Sequence, residues 1–204
     1  MSTPSVVSKK KQERFDFARQ NRRYLNLLNI AASDYAGARC CLLNGVGSGL
    51  QLGSQAIEKT MKAFIALTDK YIDTTKLSHD LNKLNNQLEA LGSTANISDK
   101  KDLDRWMEFY NARYSFDRKG NEIRQLSSSS LEETNLLDKI MTHLVANTPD
   151  FPAKFQCGVY ALISQKFGSR TYTVGAGFWI RAHNLPMMAQ LSAVDKEIDE
   201  DLKS

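Results

Sequence analysis

The apolar positions of this chain recur at helical spacing over most of its length. Tyr24, Leu27, Leu28, Ala31, Tyr35, Ala38 and Leu42 fall on one face, and the glycines of "NGVGSG" end the segment. This predicts a first helix that starts at about Phe15. A second follows as "GLQLGSQAIEKTMKAFIAL" and continues to about Tyr71. Its apolar or small side, Ala56, Ile57, Thr60, Met61, Ala63, Phe64 and Leu67, is about twice as wide as its polar strip of Gln55, Glu58, Lys59 and Lys62. A surface helix hides a narrower stripe, so this one is expected near the middle of a bundle.

The leucines at 77, 81, 84, 88 and 91 step by fours and threes and predict a third helix ended by Gly92. Ser98 or Asp99 can cap a fourth, with Leu103, Trp106, Met107, Tyr110 and Tyr114 inward. Ser129 or Ser130 with Glu132 or Glu133 forms a capping-box start for a fifth, which Pro149 and Pro152 end. Short to moderate connections between five helices predict an all-α, antiparallel up-and-down bundle over residues 15–148. Residues 1–14, small, polar and lysine-rich, read as a disordered basic tail. Residues 149–204 read as a C-terminal extension: a helix, an irregular or hairpin aromatic segment, and an acidic helix.

Composition narrows the class. No apolar run reaches the roughly 18 residues that span a bilayer, and "MSTPSVVSKKKQERF" has no apolar core of the secretory kind, so a cytoplasmic protein without membrane contact is expected. Cys40 and Cys41 are adjacent and Cys157 is distant, which offers neither a disulfide framework nor zinc-ligand spacing. They read as small buried hydrophobes. No metal or cofactor is called for. The net charge of +4 is uneven: cations crowd the first 23 residues and "DKEIDED" makes the other end acidic.

Within the polar strip, Glu58 and Lys62 stand four apart, the favoured order for an ion pair. Gln55 is expected to reach a neighbouring turn, and Lys59 is the strip's best phosphate candidate. The glycines of "GVGSG" and "VGAG" lack a preceding strand and a Gly-Lys-Ser/Thr ending, so both read as turns. Arg170, Tyr172, Trp179 and Arg181 combine charge with rings that can stack on bases, or strap the bundle.

The order of three short motifs resembles the HEPN family (higher eukaryotes and prokaryotes nucleotide-binding domains). After the glycine turn, Gln55, Ala56, Glu58, Lys59, Lys62 and Ala63 match "QAxEKxxKA"; "SHDL" supplies His79, Asp80 and Leu81; "NARYSF" supplies Arg113 and Tyr114. The resemblance covers residues 29–147. It implies a four- or five-helix bundle, often a homodimer, that is either a metal-independent endoribonuclease or a non-catalytic partner binding RNA, nucleotides or protein, commonly in defence or toxin–antitoxin systems. The family's catalytic Arg followed after four to six residues by His is absent here: none of His79, His143 and His183 has an Arg at that spacing.

The expectation is therefore a non-catalytic HEPN-like module that binds RNA, a nucleotide or a protein. Lys59, Lys62, Arg113 and His79 are its ligand candidates. The alternatives are an endoribonuclease with a divergent site at His79 and Arg113, and a structural or regulatory protein-binding subunit.

Overall fold

A computed structural model of the chain describes Asp16, residues 21–69, 71–112 and 130–148, and Asn184, Met187 and Ala189. Among these residues the protein is all-helical: α1 (Arg22–Leu43), α2 (Ser48–Thr68), α3 (Leu81–Ala90), α4 (Lys100–Ala112) and α5 (Ser130–Ala146). No helix among them is long and apolar enough to cross a membrane. The N-terminal tail, the aromatic segment with Arg170, Tyr172, Trp179 and Arg181, and both Arg113 and Tyr114 lie outside the described residues.

The turn at 44–47 reverses the chain between α1 and α2. Gly45 occupies the left-handed region at φ 70°, where a side chain is strained, and its N–H bonds to the Leu42 carbonyl at 2.9 Å. The two long helices then run antiparallel, with Tyr24 beside Phe64 at one end and Gly49 against Leu42 at the other.

α2 is the centre of the bundle, packing against all four other helices. The wide apolar side supplies the reason: Ala56, Ile57, Thr60, Met61, Ala63 and Phe64 are all buried. Close approach to α4 and α5 is set at Gly53. A Cβ there would lie 2.4 Å from Trp106 Cζ2 and 3.3 Å from Leu137 Cδ1. The Trp106 ring can rest on bare backbone while its indole N–H donates to Ser54 Oγ at 2.8 Å.

Three boundaries differ from those predicted by periodicity. α1 begins at Arg22, after Asn21 at its N-cap position, rather than at about Phe15. α2 stops at Thr68 rather than Tyr71, because Asp69 turns its carboxylate onto the Tyr71 N–H at 3.1 Å, a local turn that competes with the helix. Tyr71 is left fully exposed, at 100%. α3 begins at Leu81, not near Leu77: Asp80 caps it by accepting from the N–H groups of Asn82 and Lys83 at 2.9 and 3.3 Å. Before it, Asp73 closes another turn on Thr75.

Asp99 accepts from Lys101 N–H at the start of α4, and α5 starts at Ser130. The latter ends at Ala146, where Thr148 Oγ1 donates to the Val145 carbonyl at 2.8 Å. Between α3 and α4, buried Asn85 holds both the carbonyl and the N–H of Ile97, at 2.9 and 2.6 Å. Apolar residues of all five helices and Met187 form one core.

Candidate functional site

Each polar-strip side chain on α2 is matched by a neighbour. Lys59 Nζ bonds to the Asp34 carboxylate of α1 and to Gln55 Oε1 at 3.0 Å. Gln55 thus serves its own helix, not a neighbouring turn as the sequence leads one to expect. One turn on, Lys62 Nζ lies 2.8 Å from Glu58 Oε1, the expected ion pair, with Lys62 only 8% exposed and Glu58 16%. The same Glu58 oxygen sits 3.0 Å from His79 Nδ1.

The strip is therefore a seam. Through Asp34 it ties α2 to α1, and through His79 it ties α2 to the segment entering α3. Burial of the lysine stems with their ammonium groups on carboxylates removes both cations from easy contact with a ligand. His79 is different, since its side chain is 84% exposed. A carboxylate accepts only, so Nδ1 donates to Glu58, and in the neutral ring that tautomer leaves the lone pair on Nε2.

Of the other histidines, His143 is structural, its Nε2 donating to the Asn96 carbonyl at 3.0 Å. His183 and Arg113 lie outside the described residues. His79 meets the α2 strip at Glu58. Among the described residues, the cation closest to it through Glu58 is Lys62, itself paired.

A second polar centre, deep in the bundle, was not anticipated. Tyr35 Oη donates to Asp138 Oδ1 at 2.7 Å, and Arg39 donates to the other carboxylate oxygen. Asn184, from the C-terminal part of the chain, donates to Tyr35 Oη at 2.7 Å and accepts from the Met187 N–H at 3.3 Å. The Arg39 and Asp138 side chains are 0% and 7% exposed. Burial raises the Asp138 pKa from the ordinary carboxyl value, although Arg39 and Tyr35 pull the other way. Burial, and then the Asp138 charge, push the Tyr35 hydroxyl well above its usual range.

The sequence did hold a signal for this centre. Arg39 is four residues after Tyr35 on the inward side of α1, and Asp138 interrupts the apolar run from Leu136 to Met141. Two opposite charges on inward faces of different helices are a reason to suspect a buried pair.

Other charges lie at the surface. Arg105 pairs with Glu132 and stands 5.8 Å over the Phe109 ring, and Lys139 meets Asp102 at 2.7 Å. Lys101, Asp104, Arg105, Glu108 and Phe109 line an open depression of mixed charge on α4. Cys40 and Cys41 are half-buried rather than core residues, and Ser48 Oγ approaches Cys41 Sγ at 3.7 Å. No group of three or more His, Cys, Asp or Glu able to hold a metal ion exists among the described residues. Comparison with protein-family models, with curated proteins and with solved structures finds no match to this chain.

Proposed function

We propose that the chain is a non-catalytic, HEPN-like helical module, alone or as a homodimer, whose work is to bind a partner, with RNA the ligand its charge favours. One observation carries this reading: Lys59 and Lys62 are each held on a carboxylate of the bundle itself. Metal-independent RNA cleavage needs a group that activates the 2′-hydroxyl and a cation that meets the charge developing on phosphorus. His79 offers the first. Both strip cations are already committed to Asp34 and Glu58, which argues against the second and against phosphate capture by the strip.

The net charge of +4 still favours a polyanion. Arg22, Lys83 and Lys101 are exposed on the bundle, and the basic residues Lys9, Lys10 and Lys11 precede it in sequence. RNA contact is assigned to such cations rather than to the strip.

The test is end-labelled RNA incubated with purified protein in a metal-free buffer, with both retardation and cleavage read at low and moderate salt. Retardation without cleavage is expected, with log affinity falling by about 0.7 per log unit of salt for each phosphate contacted on a single strand. Replacing Lys9, Lys10 and Lys11 by Ala should flatten that slope, whereas Lys59→Ala should leave it unchanged. Cleavage that disappears in His79→Ala or Arg113→Ala while the fold persists would overturn the non-catalytic reading in favour of a divergent nuclease. Absence of both retardation and cleavage would remove RNA as the ligand and favour a protein partner.

A further inference from the structure

From the Glu58–His79 geometry we infer that His79 is a phosphoryl-acceptor site, modified at Nε2 by small or protein-borne phosphoryl donors and positioned for that role by Glu58. The reading does not depend on RNA binding.

Three features support it. First, the ring is 84% exposed, so a donor can approach in line with the Nε2 lone pair. Second, Nδ1 is fixed at 3.0 Å from Glu58 Oε1, which selects the tautomer that leaves Nε2 as the nucleophile. Third, Glu58 is itself held by nearly buried Lys62 at 2.8 Å, so the carboxylate cannot readily swing away. A carboxylate behind an imidazole stabilises the positive charge that grows on the ring as the other nitrogen attacks.

The charges that flank the ring in sequence are of both signs. Asp80, next in the chain, directs its carboxylate onto the N–H groups that begin α3, and Asp73 is engaged by Thr75 and Arg23. Lys76, three residues before His79 and 4.0 Å from the Asp73 carboxylate, and Lys83, four residues after it, are both exposed. His143 is a poor competitor, because its Nε2 is occupied by the Asn96 carbonyl.

With phosphoramidate as donor the step balances. The Nε2 lone pair forms the new N–P bond as the P–N bond of the donor breaks. The leaving amine takes that electron pair and a proton from water and departs as ammonia. Nδ1 keeps its proton on Glu58 until solvent removes it and the ring returns to neutral. No change of oxidation state is involved.

The experiment treats the full chain with phosphoramidate in mildly alkaline buffer. Intact mass and peptide mapping locate the product, and phosphorus–proton correlation spectroscopy identifies the nitrogen. A single acid-labile phosphoryl group on His79 Nε2 is expected, absent in His79→Ala. Glu58→Gln should form it about tenfold more slowly, the scale of one charge-assisted hydrogen bond, with Nδ1 product now present. Circular dichroism and thermal melting establish that the variant is folded. Should Glu58→Gln fail to fold, the wild-type rate against N-acetylhistidine serves as the second measure, and a rate about tenfold higher is expected. Modification at Nδ1, preference for another histidine, or a rate equal to that of N-acetylhistidine would overturn the assignment.

Discussion

The Tyr35 hydroxyl donates to the Asp138 carboxylate at 2.7 Å, joining α1 to α5 across 103 residues of sequence. With Arg39 on the second oxygen, that carboxylate is the anionic centre of a buried network that also takes in Asn184. Two charges removed from water contribute little net stability as a pair, but each is costly without the other.

Asp138→Ala should therefore destabilise the fold by about 3–5 kcal/mol, because it leaves the Arg39 guanidinium buried without its carboxylate. The double replacement Arg39→Met with Asp138→Leu should recover most of the loss. Urea denaturation of the three proteins measures both effects, and a double variant no better than the single would refute the pairing argument.

The two shifted carboxyls predict opposite pH trends. Asp138 has a raised folded pKa, so between its unfolded and folded midpoints the native state binds more protons than the unfolded chain. Its contribution to stability is fully present below the unfolded midpoint and falls as pH rises through the folded one. Asp73 is the reverse. Hydrogen bonds from the Thr75 hydroxyl and N–H lower its pKa from 3.8, so what it contributes above the unfolded midpoint is lost as pH falls through the folded one. Carboxyl-carbon NMR titration should place Asp138 above 3.8 and Asp73 below it, and Thr75→Ala should move Asp73 upward.

Gly53→Ala tests the close approach of α2 to α4. The added methyl would enter the Trp106 ring and displace it, at a cost of about 1–3 kcal/mol typical of overpacking. Thermal melting together with a red shift in indole emission would report the displacement. Unchanged melting and emission would mean that the ring has room to move.

Lys59 and Asp34 offer a measure of the polar seam. Both are partly exposed, so a double-mutant cycle to Ala should give a coupling of about 1 kcal/mol or less. A substantially larger value would mark the seam as a main support of the α1–α2 hairpin.

Asn184→Ala removes a donor from Tyr35 and unseats the bond to the Met187 N–H. Loss of about 1–3 kcal/mol is expected, with faster amide exchange in the parts of α1 and α5 that flank Tyr35 and Asp138. Unaltered exchange there would separate the C-terminal contact from the stability of the bundle.

What the sequence by itself determined is what repeats locally. A 3.6-residue period written into leucines, alanines and aromatics was sufficient to predict five helices, the inward faces of α1 and α2, and the central place of α2. The Glu58–Lys62 pair was equally readable, since both ends lie on one turn of one helix. Helix ends were less so, because Asp69, Asp73 and Asp80 each take backbone N–H groups into a turn or cap, and a polar residue at a boundary does not announce which option it takes. Only the tertiary structure decided where polar groups meet across helices. Lys59 finds Asp34 at a separation of 25 residues and Asn184 finds Tyr35 at 149. Such pairings depend on how the bundle closes, and periodicity, which describes one helix at a time, carries no record of them. Arg39 and Asp138 stand on the inward sides of their own helices, and only closure of the bundle brings them together as its buried centre.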